Sequence, residues 1–263
     1  MPPAPHEVPV ERLLPHRPPM LLLERLLTWS ASEWSSAIRL RGDGPYVELG
    51  HWHLRPIWCL ELMAQAAAAG IAYGAAVSDQ PRPASGFVIG VEDLQTDGFD
   101  SLPRSAELRV EAHLEVDVPP AAEIATRIVF GSREVARARL KMLVGGGQVP
   151  TPRPDALPFT LFNVSDGIVT VTPGTGHRWL EGHFPGMPVL PAVGQLRFVE
   201  HAAFLLTGRK LELVSIEKAR FHAPAVPGDT LELSLDLAPL PRLGWTIRRS
   251  GQRVASGRGR VRG

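Results

Sequence analysis

His183 heads the stretch Gly182-His183-Phe184-Pro185-Gly186-Met187-Pro188-Val189-Leu190-Pro191, and the apolar run after it reads as a buried helix. A histidine before a Pro/Gly-rich turn is thereby fixed at the mouth of a helix. That helix end offers unpaired backbone N–H groups and a partial positive charge. An imidazole titrates near neutral pH, so a base beside an anion-stabilising helix end suits proton abstraction next to a carbonyl. The other half of the chain has a second apolar helix with an acid near its start, Glu61 in Glu61-Leu62-Met63-Ala64-Gln65. Gln65 follows one helical turn later on the same face and is placed to orient it. Burial in an apolar helix is expected to raise the pKa of Glu61 and keep a proton on it. His183 and Glu61 are expected to share one site.

Other candidates have duller explanations. His51 and His53 have the spacing of a metal pair on a strand, but no further ligand cluster follows, so they read as surface histidines and no metal site is expected. His16 and Arg17 precede Pro18 and are expected to hold a turn against a sheet. Trp52, Trp58 and Trp179 read as packing residues, and Asp229 after Pro227-Gly228 as a turn residue. Gly-x-Ser-x-Gly, phosphate-loop and dinucleotide patterns do not occur, and no cofactor is expected.

The elements that must position these residues come in two similar sets. In the first half a strand is expected over 32–41, a helix over 57–77, and strands over 86–91, 106–116, 122–130 and 135–144. In the second half strands are expected over 159–164 and 167–172, a helix over 191–207, and strands over 211–221, 230–237, 244–249 and 254–261. Several alternate apolar with polar residues, as in Leu108-Arg109-Val110-Glu111-Ala112-His113-Leu114. A helix that is apolar nearly all round must be covered on all sides, which suggests an antiparallel sheet wrapped around it. The order of elements repeats, so the chain reads as an internal duplication. The Gly- and Pro-rich stretch from Gly145 to Pro154 marks the join. The expected domains are 1–147, a linker over 148–158, and 159–263.

The 263 residues are 44% hydrophobic with a net charge of +1, so bulk charge gives no support to nucleic-acid binding. A single cysteine, Cys59, excludes an internal disulfide framework. The 57–77 stretch is apolar enough to raise a membrane span, but Glu61, Gln65 and the absence of basic flanks favour a buried helix in a cytoplasmic protein. The stretch from Pro241 to Gly263 has seven arginines and no acid, and reads as a solvated edge or as a surface for an acidic partner.

The His183 motif resembles that of the hotdog-fold β-hydroxyacyl-acyl-carrier-protein dehydratases. Lys218-Ala219-Arg220-Phe221-His222-Ala223-Pro224 resembles the strand after that family's helix, and Leu14-Pro15-His16-Arg17-Pro18-Pro19-Met20-Leu21-Leu22-Leu23-Glu24-Arg25 its N-terminal motif. Glu61-Leu62-Met63-Ala64-Gln65 resembles the acid-bearing helix start. The chain is similar to a fusion of the two dehydratase subunits of aryl polyene pigment clusters, the acid-bearing partner first and the histidine-bearing subunit second. The resemblance implies an α+β double hotdog in which two antiparallel sheets, each round a long central helix, join as a pseudo-dimer. It implies dehydration of 3-hydroxyacyl thioesters on an acyl carrier protein. His183 would be the base and Glu61 the acid, with the backbone at Ala192 and Val193 holding the thioester oxygen and Gln65, Val189 and Gly186 in support. Arg220 and Lys218 would meet the acidic carrier. Many relatives have glycine where Ala192 stands. The reciprocal pair is incomplete: Glu200 lies nearly one turn beyond the matching helix position, and 50–56 lacks the Phe-Pro-Gly turn. One chain thus supplies a monomeric pseudo-dimer, alone or within a larger homo-oligomer. A hotdog thioesterase and a non-catalytic acyl-binding scaffold are the competing readings.

Overall fold

The computed structural model describes residues 3–48, 51–78, 86–145 and 151–263. After a short helix α1 (Val10–Leu13), the first half runs β1 (Arg25–Trp29), β2 (Glu33–Arg39), β3 (Val47–Glu48), β4 (His51–Leu54), α2 (Cys59–Val77), β5 (Gly86–Gln95), β6 (Glu107–Val118), β7 (Ala121–Phe130) and β8 (Arg133–Val144). The second runs β9 (Leu161–Ser165), β10 (Ile168–Thr172), α3 (Ala192–Thr207), β11 (Glu212–Phe221), β12 (Leu231–Asp236), β13 (Arg242–Arg249) and β14 (Gln252–Arg262). Twelve strands form one antiparallel sheet in the order β1-β2-β6-β7-β8-β5-β11-β14-β13-β12-β10-β9, and β3 and β4 make a separate hairpin. The expected duplication is present, and the sheets of the two halves are continuous.

The join is the pairing of β5 with β11, in the register Val91↔Ala219 and Glu92↔Lys218. Val91 and Ala219 point to the core and are buried, while the neighbouring positions place Glu92, Lys218 and Arg220 on the other face. There Glu92 is ion-paired with Arg220, with Lys218 Nζ 3.8 Å and Lys141 Nζ 3.9 Å away.

The sheet wraps α2 closely because the helix offers small residues. Trp34 Nε1 donates to Ala66 O and Trp29 Nε1 to Gly70 O, each at 2.9 Å. A Cβ at Gly70 would lie 2.2 Å from the Trp34 ring, so a glycine is required for this approach. With the turn before it, α2 is long and apolar enough to cross a membrane, but its most apolar stretch is 67% buried inside the protein. Trp58 and Trp179 meet edge to face at 6.0 Å, packing one half on the other. Of the expected linker over 148–158, residues 148–150 lie outside the described residues. From Arg153 the chain is tied to the second half: Arg153 N donates to Pro227 O at 3.0 Å, and Leu157 O accepts from Thr175 N at 2.7 Å.

Candidate active site

His183 is held by its own loop. Val189 N donates to His183 O at 3.0 Å, and His183 Nδ1 lies 2.8 Å from Val189 O. A carbonyl can only accept, so Nδ1 carries the hydrogen and Nε2 keeps its lone pair. The ring stacks on Phe184, with centroids 4.3 Å apart. Burial pushes its pKa down to about 4 against the opposing pull of Glu61. His183 is therefore a neutral imidazole at physiological pH, oriented by the Val189 carbonyl with Nε2 free to accept a proton.

Gly182 fixes the loop to the other half of the chain. Its φ is +80°, and a Cβ would lie 2.0 Å from Arg17 O, so only glycine fits. Gly182 O accepts from Arg17 N at 3.0 Å. This contact brings the 14–20 segment of the first half onto the His183 loop of the second.

Glu61 sits in the first turn of α2 and is 4% exposed. Gln65 Nε2 donates to Glu61 Oε1 at 2.8 Å and to Met20 O at 2.7 Å, while Gln65 Oε1 accepts from Leu22 N at 2.8 Å. Gln65 thus pins both the acid and the strand leading into β1. His16 Nε2 lies 3.4 Å from Glu61 Oε1. The expectation of a protonated Glu61 is overturned. Burial does push its pKa up, but the hydrogen bond from His16 and the Gln65 amide, with the two imidazoles close by, hold it below the usual carboxylate range.

His16 is the residue that sequence reasoning set aside as a turn element. It is 7% exposed, its ring meets that of His183 edge-on at 5.1 Å, and its Nδ1 is buried with no hydrogen-bond partner among the described residues. One ligating atom from each of His16, Glu61 and His183 lies within 4.8 Å of the others, so two imidazoles and a carboxylate form one buried cluster.

The cluster opens into a cavity of about 160 Å³ whose wall includes Ala64, Ala68, Phe87, Ala192, Gln195 and Phe221. The α3 hydrogen-bond ladder begins with Gln195 N to Pro191 O, and no side chain caps the helix. The N–H groups of Ala192 and Val193 precede that ladder. Ala192 lines the cavity; the Val193 side chain is fully buried beneath it. Gln195 lines the cavity with an Oε1 that has no hydrogen-bond partner among the described residues. Gly186 lies in the turn with φ +74° and open space around it, so it shapes the loop and does not line the cavity. Asp229 fills its expected turn role, accepting from Val226 N at 3.0 Å.

A second corner occupies the place where a reciprocal site would form. The Phe-Pro-Gly turn is replaced there by the β3–β4 hairpin, and Glu200 of α3 is buried in an ion network. Leu213 N donates to Glu200 Oε1 at 2.7 Å, Arg197 pairs with Glu200 Oε2, and Arg55 Nη1 is 3.7 Å from it. Arg55 Nη1 also reaches Glu212 Oε1 at 3.1 Å, and Glu212 is bonded to His53 and to Arg262. His53 is therefore engaged in a structural pair, not free on the surface. Glu200 is absent from the cavity wall that holds His183.

A helix wrapped by each half of a continuous sheet, with a histidine from one half facing a glutamate from the other, defines a double-hotdog acid–base enzyme. Solved structures share the fold. The dehydratase domain of RzxB from Pseudomonas fluorescens aligns over 95% of this chain and all of that one, with TM-score 0.56 at 13% identity. An oleoyl thioesterase (putative) from Lactobacillus plantarum aligns over 89% of this chain and 97% of its own, with TM-score 0.58 at 11% identity. Identities this low speak to fold alone.

Sequence relatives speak to family. The 3-hydroxyacyl-[acyl-carrier-protein] dehydratase FabZ of Myxococcus xanthus is 31% identical over 134 residues, 42% of this chain and 86% of the relative. The FabZ of Roseobacter denitrificans is 35% identical over 79 residues, 27% of this chain and about half (51%) of the relative. Residues 8–146 match the family model of the ApeP dehydratase, and residues 166–258 that of the ApeI dehydratase. The chain belongs to the hotdog-fold 3-hydroxyacyl-thioester dehydratases, with an ApeP-like first half and an ApeI-like second half.

Proposed function

We propose that the two halves form one active site that removes water from a 3-hydroxyacyl group carried on the pantetheine arm of an acyl carrier protein, giving a trans-2-enoyl thioester, in aryl-polyene- or fatty-acid-type synthesis in the cytoplasm. The observation that carries this reading is the meeting of His183 and Glu61, from opposite halves, within 4.8 Å at one cavity. His183 Nε2 takes the C2 proton. The thioester oxygen is stabilised by the N-terminal N–H groups of α3 at Ala192 and Val193, each worth on the order of 3 kcal/mol when well aimed. Glu61 lies beside the departing 3-hydroxyl, steadied by Gln65.

The acyl tail runs along α2. A smaller void of about 30 Å³, lined by Leu13, Ile71 and Val144, shares Ala68, Gly86 and Met142 with the main cavity. The carrier docks on the groove lined by Lys218 of β11 and by Arg253 and Arg258 of the neighbouring β14; Phe221, at the end of β11, walls the cavity. Arg220, held by Glu92, serves that surface mainly by fixing the β5–β11 join.

The test is turnover of a 3-hydroxyacyl thioester. Enoyl absorbance without release of thiol supports dehydration. Free thiol would support the thioesterase reading, and neither product would support an acyl-binding scaffold.

A further inference from the structure

The hydroxyl must leave as water, so the site needs a proton donor. Glu61 Oε1 has two nitrogen partners, the Gln65 amide at 2.8 Å and the His16 imidazole at 3.4 Å, and of these only the imidazole can give up a proton. We propose that His16 is the proton source for the leaving group, acting through Glu61, so that the acid of this site is a His16–Glu61 pair and not a lone carboxylic acid. This deepens the dehydratase reading and rests on His183 being the base.

Geometry carries it. His16 Nε2 lies 3.4 Å from Glu61 Oε1, both side chains are buried on the cavity wall, and the His16 and His183 ring centres are 5.1 Å apart. His183 Nδ1 is committed to Val189 O, whereas His16 Nδ1 has no hydrogen-bond partner among the described residues. Among the described residues, the titratable and charged groups around His16 are Glu61 on α2, His183 on the facing loop, the adjacent Arg17, whose guanidinium bonds the Leu14 and His16 carbonyls, and His222 on the opposite cavity wall.

The step balances within the site. His183 Nε2 takes the C2 proton, and the electron pair of that bond becomes the C2–C3 double bond as C3–O breaks. His16 Nε2 passes a proton to Glu61 Oε1, and Glu61 hands a proton on to the oxygen, which leaves as water while the carboxylate is restored. His183 ends as imidazolium and His16 as neutral imidazole. Return of one proton from His183 to His16 restores the start without another reactant. His16 is a positioning and proton-supplying residue, since it acts through Glu61.

His16→Asn keeps an amide hydrogen bond to Glu61 but cannot supply the proton. With a 3-hydroxyacyl-pantetheine thioester, kcat should fall roughly 100-fold or more while KM stays within about twofold. Added imidazole should restore part of the rate to His16→Ala. A His16→Asn protein with kcat within about threefold of wild type, or a His16→Ala protein that imidazole does not rescue, would overturn the proposal. His183→Ala separates the layers: if it stays active, the underlying reading fails, and if it is dead while His16→Asn is active, only this inference fails. Should the His16 variants not fold, ¹⁵N spectra of the wild-type histidine rings decide. His16 Nε2 is expected to carry a hydrogen shared with Glu61, and an Nε2 without one would sink the idea.

Discussion

The His183 corner and the Glu200 corner each contain a buried glutamate on a central helix, Glu61 in the first turn of α2 and Glu200 midway along α3. At the first, Glu61 faces two histidines, a glutamine and an open cavity. At the second, Glu200 faces Arg197 and Arg55, with Glu212 beyond, and no cavity is lined by it among those described. Histidines leave a carboxylate with partners that can gain or lose a proton near neutral pH; arginines do not. The same buried acid thus serves proton transfer in one corner and cross-bracing in the other. Burial pushes the Glu200 pKa up even with Arg197 beside it, whereas the partners of Glu61 win over burial.

The strongest way to break this contrast is to remove the reacting groups. His183→Ala and Glu61→Ala should each cost about 100- to 10,000-fold in dehydration with the fold retained, and the double variant little more than either single one. Activity surviving in Glu61→Ala would mean the acid is wrongly assigned. Next in size is the bracing corner. Glu200→Leu removes the carboxylate that Arg197 and Arg55 share in a buried network and should cost about 3–5 kcal/mol, a Tm fall of roughly 10 °C, with kcat of the folded fraction unchanged. Calorimetry with turnover below Tm checks it; a loss of kcat would make Glu200 a member of the active site.

A pH series sharpens the contrast further. His183 is depressed to about 4 when folded and titrates near 6.5 when unfolded, so the unfolded chain binds the proton first as pH falls. Stability from this group is complete above 6.5 and is lost between 6.5 and about 4. His177, also pushed to about 4 by burial, acts in the same window. His183→Asn should therefore lose less stability than wild type from pH 7 to 4.5, by roughly a few kcal/mol, in chemical denaturation. Identical slopes would mean the ring is not buried neutral. Smaller effects test the periphery. Ala68→Phe should raise KM for long acyl chains several-fold and leave short ones nearly unchanged. Raising salt should weaken turnover of carrier-bound substrate more than that of a small thioester, because exposed charges are screened within about 10 Å at 0.1 M.

Much of this was readable from residue order. The strands with alternating burial, both long helices and the His183 loop fall where their patterns predict. β1 was missed because Arg25-Leu26-Leu27-Thr28-Trp29 has no strict alternation of apolar and polar residues, and β3–β4 because strands of two and four residues are too short for a period to stand out. The charge state of Glu61 was misread for a physical reason. Its helix position announces burial, but His16 arrives from 45 residues upstream, on a loop located by the Gly182 carbonyl of the other half. Only the motif around Leu14-Pro15-His16-Arg17-Pro18 signalled that this segment mattered.

The pairing of β5 with β11 within one chain has a further consequence. A composite site made by two separate subunits is lost when they dissociate, and its amount depends on how evenly both are made. Here the partner strand is always present at the high effective concentration that a short tether imposes, on the order of millimolar. Specific activity should then be flat on dilution into the nanomolar range, and each chain synthesised should bring one base and one acid in a fixed ratio of one to one.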